Sequence, residues 1–296
     1  MSASISDDFG GDAGRVVVVT GAGKGLGAAF ARGWAARGAR VVVNNRQSGV
    51  DPASAKLLAA TLRAEGAEAV ADCHAVDAPG AAAAIVAAAI AAFGRIDVLI
   101  LNAGIAGPAA KIPELPAAAL AEVMAINFFA NAALVDAALP HLAAAPAGRI
   151  LFVSSTGGLY GVRGRSAYAA SKGAVTGYAL SLAAEQSRAG VGVNVLCPYA
   201  ATAMTAATGV TADPRLAPDG AAAAAVWLTS SACGATGEIW VTGGGRARRA
   251  LTTEGAMADA ATPEVLAAVP PQPPPGGFAH GEAAFADFHD HLTREA

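Results

Sequence analysis

Charge is scarce in this 296-residue chain: charged side chains make up 15% of it and the formal net charge is -3. No basic stripe can form, and the scattered Arg163, Arg165, Arg246, Arg248 and Arg249 do not supply one, so no nucleic-acid partner is expected. Cysteine is scarcer still. Cys73, Cys197 and Cys233 lack any C-x-x-C spacing, two of them sit in apolar runs suited to buried thiols, and a reducing, cytoplasmic setting fits. The first twelve residues are acidic, small and polar, with no basic stretch leading into an apolar one, and they read as a loose arm. The apolar runs 81–92 and 221–228 fall short of the ~20 residues needed to span a bilayer, so no membrane partner is expected. A metal cluster is missing too. His289 and His291, two apart in a helical stretch, point to different sides, and no Cys or Glu cluster accompanies them.

What the chain does have is Ala, Val and Leu enough to bury a substantial core in one large domain. Strand-like runs fall at 16–20, 40–44, 69–73, 97–101, 149–154, 192–196 and 238–241, with helical segments between them. That alternation predicts right-handed βαβ units and an α/β fold: a doubly wound parallel sheet of about seven strands with helices on both faces. Ligands of such sheets lie at the strands' carboxyl ends. The domain is placed at residues 14–245, after a flexible arm at 1–13. Beyond Gly245 the pattern fails, and 246–296 reads as an extension, Pro-rich at 270–275, that closes with one short helix.

The first strand runs into Gly21-Ala-Gly23-Lys24-Gly25-Leu26-Gly27 and then an amphipathic helix. Strand, glycine turn and helix together form a pyrophosphate cradle: the glycines let backbone amides approach, and the helix N-terminus favours the charge. Far along the chain, Tyr168 and Lys172 lie one helical turn apart, on one face. A free phenol, with a pKa near 10, is a poor acid or base at neutral pH, and a neighbouring ammonium is expected to lower that value.

Other polar residues fall at strand ends. Asn102-Ala103-Gly104 follows the fourth strand, where small residues let a cofactor lie against the backbone and Asn102 is expected to hold it. Ser155 ends the fifth strand, thirteen residues before Tyr168, so hydroxyl and phenol can face one crevice. Asn127 sits within an apolar helix predicted at 117–138, where a buried amide needs partners and a bound water could relay protons. Val76 and Asp77, past the third strand, are candidate adenine contacts, although Asp77 is equally explained as a helix N-terminal acid.

Taken in order and spacing, Thr20 to Gly27, Asn102-Ala-Gly104, Asn127, Ser155 and Tyr168-x-x-x-Lys172 resemble the short-chain dehydrogenase/reductase family over about residues 14–245. The resemblance implies a Rossmann-type domain, a nicotinamide dinucleotide, and a tetrad of Asn127, Ser155, Tyr168 and Lys172. Tyr168 would exchange a proton with the carbonyl or alcohol oxygen, Ser155 would hold that oxygen, Lys172 would lower the tyrosine pKa and bind the nicotinamide ribose, and Asn127 would order a water. Within the family, 41–45, 93–97, 198–204 and 262–264 look like the dehydrogenase domain of peroxisomal multifunctional β-oxidation enzymes. The long helices also resemble those by which the family pairs, so a homodimer or homotetramer is expected.

Three departures bear on the site. Leu101 stands where the family has a second Asn. Tyr199 replaces a glycine after Pro198, altering the loop beneath the nicotinamide on which Thr202 is the candidate ligand. Asn45 replaces the acid that would hold the ribose 2'-hydroxyl, and Arg46 follows it. With Lys24, these residues favour a 2'-phosphate, so NADP(H) is expected over NAD(H). The substrate is then a small-molecule ketone or alcohol, apolar, against Ser155, Tyr160, Tyr168 and Tyr199. An NADP(H)-sensing or scaffold protein without catalysis is the alternative; it would keep the glycine turn but could dispense with the tetrad.

Overall fold

Val16–Val19 form β1, and all four are buried, as a strand covered on both faces requires. The computed structural model describes residues 11–47, 53–202, 213–252, 278 and 281–294. The remaining strands are β2 (Arg40–Asn44), β3 (Ala69–Asp72), β4 (Val98–Leu101), β5 (Arg149–Val153), β6 (Gly192–Pro198), β7 (Ile239–Gly243) and β8 (Arg246–Ala250). They form one sheet in the order β3-β2-β1-β4-β5-β6-β7-β8. Every pairing is parallel except β7 with β8. The chain winds outward from β1 through β2 to β3, then returns to β1's other side with β4. That reversal opens a crevice at the carboxyl ends of β1 and β4.

Helices α1 (Gly25–Ala35), α2 (Ser54–Ala64) and α3 (Ala81–Phe93) link the first four strands. After β4 come α4 (Ala117–Met124), a wider turn at Ala125–Phe129 and α5 (Ala130–Ala144). The short α6 (Thr156–Tyr160), α7 (Ser166–Gln186), α8 (Asp219–Thr229) and α9 (Gly281–Arg294) complete the described helices. One core cluster packs Phe30, Trp34, Leu58 and Val226 on one face of the sheet; the other packs Leu134, Phe152, Val175 and Leu182 on the opposite face. A Cβ at Gly33 would lie 3.0 Å from Val226, so the glycine lets α1 and α8 close on each other.

Seven strands lie where the sequence predicts them, and an eighth falls beyond Gly245, where the strand pattern was expected to fail. Arg246–Ala250 is exposed at Arg246, Ala247 and Arg249 and joins the sheet as an antiparallel edge, a position that charged side chains tolerate. The predicted helix over 117–138 instead continues to Ala144 and is interrupted by the wider turn that carries Asn127. The stretch 117–144 is long and apolar enough to cross a bilayer by composition, which the shorter runs are not. In the fold it packs against α3 and α7.

Asp12 also departs from the reading of a loose arm over 1–13. It is 2% exposed, accepts from Arg15 Nη1 at 3.1 Å and from the Ser231 amide at 2.9 Å, and so ties the chain's start to the end of α8. Asp12→Ala removes the paired carboxylate from a buried guanidinium and is expected to cost about 3 kcal/mol, read as a lower urea midpoint. Residues 1–10 of the arm, the 262–264 element and the Pro-rich stretch lie outside the described residues.

Candidate active site at the carboxyl ends of the strands

The glycine turn is built by close approach. Gly21 and Gly25 have φ of 62° and 56°, in the left-handed region. A Cβ at Gly27 would overlap Gly21 O and lie 2.6 Å from Asn102 Nδ2, and one at Gly23 would overlap Ser54 Oγ. Thr20 Oγ1 accepts from the amides of Asn102 and Ala103, both at 3.0 Å, which clips β4 to β1. Asn102 Nδ2 donates to Thr20 O at 2.9 Å and Gly21 O at 3.1 Å. Its amide thus braces the turn on which a cofactor would lie. Leu101 is fully buried in the core, where a second asparagine would need partners.

No side chain caps the N-terminus of α1, at Lys24, and its first turn holds no acid. Its leading N–H groups and the helix's positive end face the turn, an arrangement that fits the pyrophosphate of a dinucleotide. Thr202 comes back to this turn, its Cγ2 3.6 Å from where a Gly25 Cβ would sit. At the end of β2, Asn45 Nδ2 donates to Ser54 Oγ at 2.7 Å, while Arg46 is exposed. Val76 packs partly against the core and Asp77 is exposed.

Ser155, Tyr168 and Lys172 converge across the crevice. Ser155 is the N-cap of α6, its Oγ accepting from the Gly157 amide at 3.1 Å. A Cβ at Gly157 would lie 3.4 Å from that Oγ and 3.8 Å from Tyr168 Cε1, which places serine and phenol side by side. Lys172 Nζ is buried, donates to Val153 O at 2.7 Å and sits 5.8 Å from the Tyr168 ring centre. A Cβ at Gly104 would lie 3.5 Å from Nζ and 3.1 Å from Asn127 Oδ1, so β4's end meets the same cluster.

The electrostatics reverse one expectation. Burial pushes the Tyr168 pKa up; the Ser155 hydroxyl and then the Arg165 charge pull it down, with Cys197 working against them. Lys172 is not among the causes of the shift, because burial lowers its own pKa to about 8. An amine that loses its charge before the phenol ionises, and is turned onto Val153 O, does not favour the phenolate.

Asn127 is held in place by its own side-chain amide. Its Oδ1 accepts from Ile105 N at 2.8 Å, and its Nδ2 donates to Ile105 O and Ser171 Oγ, both at 2.9 Å. The amide is satisfied by the protein itself, and Ser171 Oγ in turn donates to Tyr168 O at 2.8 Å. Asn127 therefore fastens α7 to the loop after β4. Ser171, which fills an x position of the Tyr168-x-x-x-Lys172 spacing, and Arg165, whose Nη1 donates to Gly107 O at 2.9 Å, were not singled out from the sequence as site residues.

A family model described as short chain dehydrogenase matches residues 15–213. The chain belongs to the short-chain dehydrogenase/reductase family. Over 202 residues it is 40% identical to cis-4-hydroxycyclohexanecarboxylate dehydrogenase of Sinomonas cyclohexanicum, covering 68% of this chain and 78% of that one. It is 38% identical over 191 residues to the peroxisomal hydratase-dehydrogenase-epimerase of Saccharomyces cerevisiae, covering 64% of this chain but only 20% of that longer protein. A short chain dehydrogenase from Mycobacterium avium superposes with a TM-score of 0.78 at 34% identity, covering 88% of this chain and 97% of the other. A putative NAD(P)-dependent gluconate 5-dehydrogenase from Beutenbergia cavernae, solved with bound NADP at low occupancy, gives a TM-score of 0.71 at 35% identity, covering 79% and 96%. Like other members of the short-chain dehydrogenase/reductase family, the chain is an NAD(P)-dependent oxidoreductase of the alcohol and carbonyl type. The likeness to the peroxisomal multifunctional enzymes read from the sequence is among the matches.

Proposed function

We propose that the protein reduces an apolar ketone to a secondary alcohol with NADPH, Tyr168 acting as general acid. The observation that carries this is the meeting of Ser155, Tyr168 and Lys172 beside the glycine cradle. When bound in that cradle, the nicotinamide supplies or accepts hydride. Ser155 Oγ holds the substrate oxygen next to the phenol. A phenol whose pKa burial has raised stays protonated at neutral pH, so it is ready to donate and poorly set to accept. Lys172, held by Val153 O, stands at the floor of the site, where its amine can meet ribose hydroxyls. The cyclic secondary alcohol named for the Sinomonas relative supports a ring-bearing substrate; steroid-like ketones and acyl thioesters fit the same apolar setting.

Ketone reduction should stay level through neutral pH and fall only once Tyr168 loses its proton in alkali. Alcohol oxidation should rise over that same alkaline range. Rates in both directions from about pH 6 to about pH 11 check this, and reduction that fails at neutral pH would remove Tyr168 as the acid.

Exposed Arg46, with Asn45 in place of an acid, supports a preference for the 2'-phosphate. Arg46→Asp should weaken NADPH by about tenfold or more, the loss of one charge-assisted hydrogen bond, and leave NADH nearly unchanged. Equal catalytic efficiencies of wild type with NADH and NADPH would defeat the preference.

A further inference from the structure

The helix α6 has five residues, too few to hold itself, because helix nucleation is unfavourable and no run of internal bonds follows it. Yet α6 is capped by Ser155 and ends at Tyr160, so its position is the position of the substrate's hydroxyl partner. On one side it rests on α7: a Cβ at Gly158 would lie 2.6 Å from the Lys172 carbonyl carbon. On another it meets α9, which belongs to the extension beyond Gly245.

The contacts between α9 and the site are specific. Gly281 N donates to Gly161 O at 2.9 Å, directly after α6, and Arg163 N donates to Glu282 Oε1 at 3.2 Å. Phe285 and Phe288 hold the Tyr199 ring at centroid distances of 5.0 and 5.1 Å, and Phe278 meets Tyr160 at 5.5 Å. A Cβ at Gly243 would lie 3.1 Å from Phe288 Cε1 and 3.0 Å from Tyr199 Cβ, so β7 gives way to let these rings close. Two polar contacts pin the helix. Arg248 of β8 reaches Asp287 Oδ2 at 2.6 Å and Ala284 O at 3.3 Å, its guanidinium lying over the rings of Phe278 and Phe288. His289 Nε2 lies 3.0 Å from Asp213 Oδ2.

We propose that α9 is a built part of the substrate side of the active site, holding α6 and the Tyr199 ring so that Ser155 and Tyr160 meet the substrate in register. Arg248 and Asp287 are positioning residues in this scheme. They act through α6 and Tyr199, and the eighth strand is there to present the arginine. The scheme rests on the oxidoreductase reading of the site, but part of its test does not.

The test uses the full chain carrying Asp287→Ala, a partly exposed position chosen so that the fold survives, with Asp287→Glu as the conservative counterpart. Amide hydrogen exchange over 155–161 should speed up about tenfold in Asp287→Ala, with exchange in α1 unmoved. KM for the ketone should rise about tenfold, since small displacements of positioned groups are costly, while the NADPH dissociation constant stays within about twofold. Asp287→Glu should restore both readouts. Unchanged exchange over 155–161 in Asp287→Ala overturns the coupling, and faster exchange with an unmoved KM overturns the substrate-side role. A wild-type protein that turns over no ketone or alcohol ends the functional reading alone, and the exchange measurement still decides whether α9 holds α6.

Discussion

Tyr168→Phe is expected to lower kcat for ketone reduction by about 10³-fold, within the range that general acid catalysis supplies. The variant removes one oxygen and keeps the ring. The Tyr168 carbonyl still accepts from Ser171 Oγ, and Asn127 still anchors Ser171, so α7 keeps its place. NADPH affinity should therefore hold within about twofold, because the glycine turn braced by Asn102 and Thr20 is untouched. Single-turnover measurement of nicotinamide oxidation separates the two readouts. If kcat survives, the proton comes from elsewhere and the proposed acid is wrong.

Lys172→Met should stabilise the protein in the absence of cofactor while removing most of its activity. The wild-type ammonium is buried, and burial brings its pKa down from the ordinary 10.5 to about 8. Below about pH 8 the amine is charged in both states, so the folded state carries the whole desolvation cost, roughly 3 kcal/mol at 1.36 kcal/mol per unit. Between about pH 8 and about pH 10.5 the unfolded chain holds the proton that the folded chain has lost, and wild-type stability gains with rising pH. Above that window neither state is charged and the cost is gone. Met has a similar reach and no charge, but it leaves Val153 O without its donor, a loss of about 1 kcal/mol or more. The net advantage of the variant is then about 2 kcal/mol at neutral pH and disappears in strong alkali. Urea midpoints at pH 7 and near pH 10 test this. A difference between variant and wild type that ignores pH would show that Lys172 is not held in its charged form at a cost. A charged group kept where it destabilises the fold is a mark of function.

Legibility followed the range of the interactions involved. The valine runs of β1 and β2 announce buried parallel strands because both faces are covered and period-two alternation is not needed. The strand β8 was illegible for the opposite reason. Arg246-Ala-Arg-Arg249 has neither an apolar run nor a hydrophobic face, and becomes a strand by pairing with β7 and giving Arg248 to Asp287. Phe288-His-Asp-His291 reads as a solvated tail until its partners are known. Tyr199, Asp213 and Arg248 lie 39 or more residues away in the chain, and nothing local points to them. Asn127 was legible as a buried amide in need of partners, but not that Ile105 and Ser171 meet the need.

Within the site, the sequence by itself determined what depends on neighbours in the chain. Glycines at 21, 23, 25 and 27 permit the turn, and Tyr168 and Lys172 share a face because a helix repeats at about four residues. The tertiary structure alone decided what those groups are worth: a phenol raised rather than lowered, an amine brought down to about 8, and a five-residue helix held by one from the chain's far end. Burial and long-range contact set those values, and both belong to the packed molecule rather than to any stretch of it.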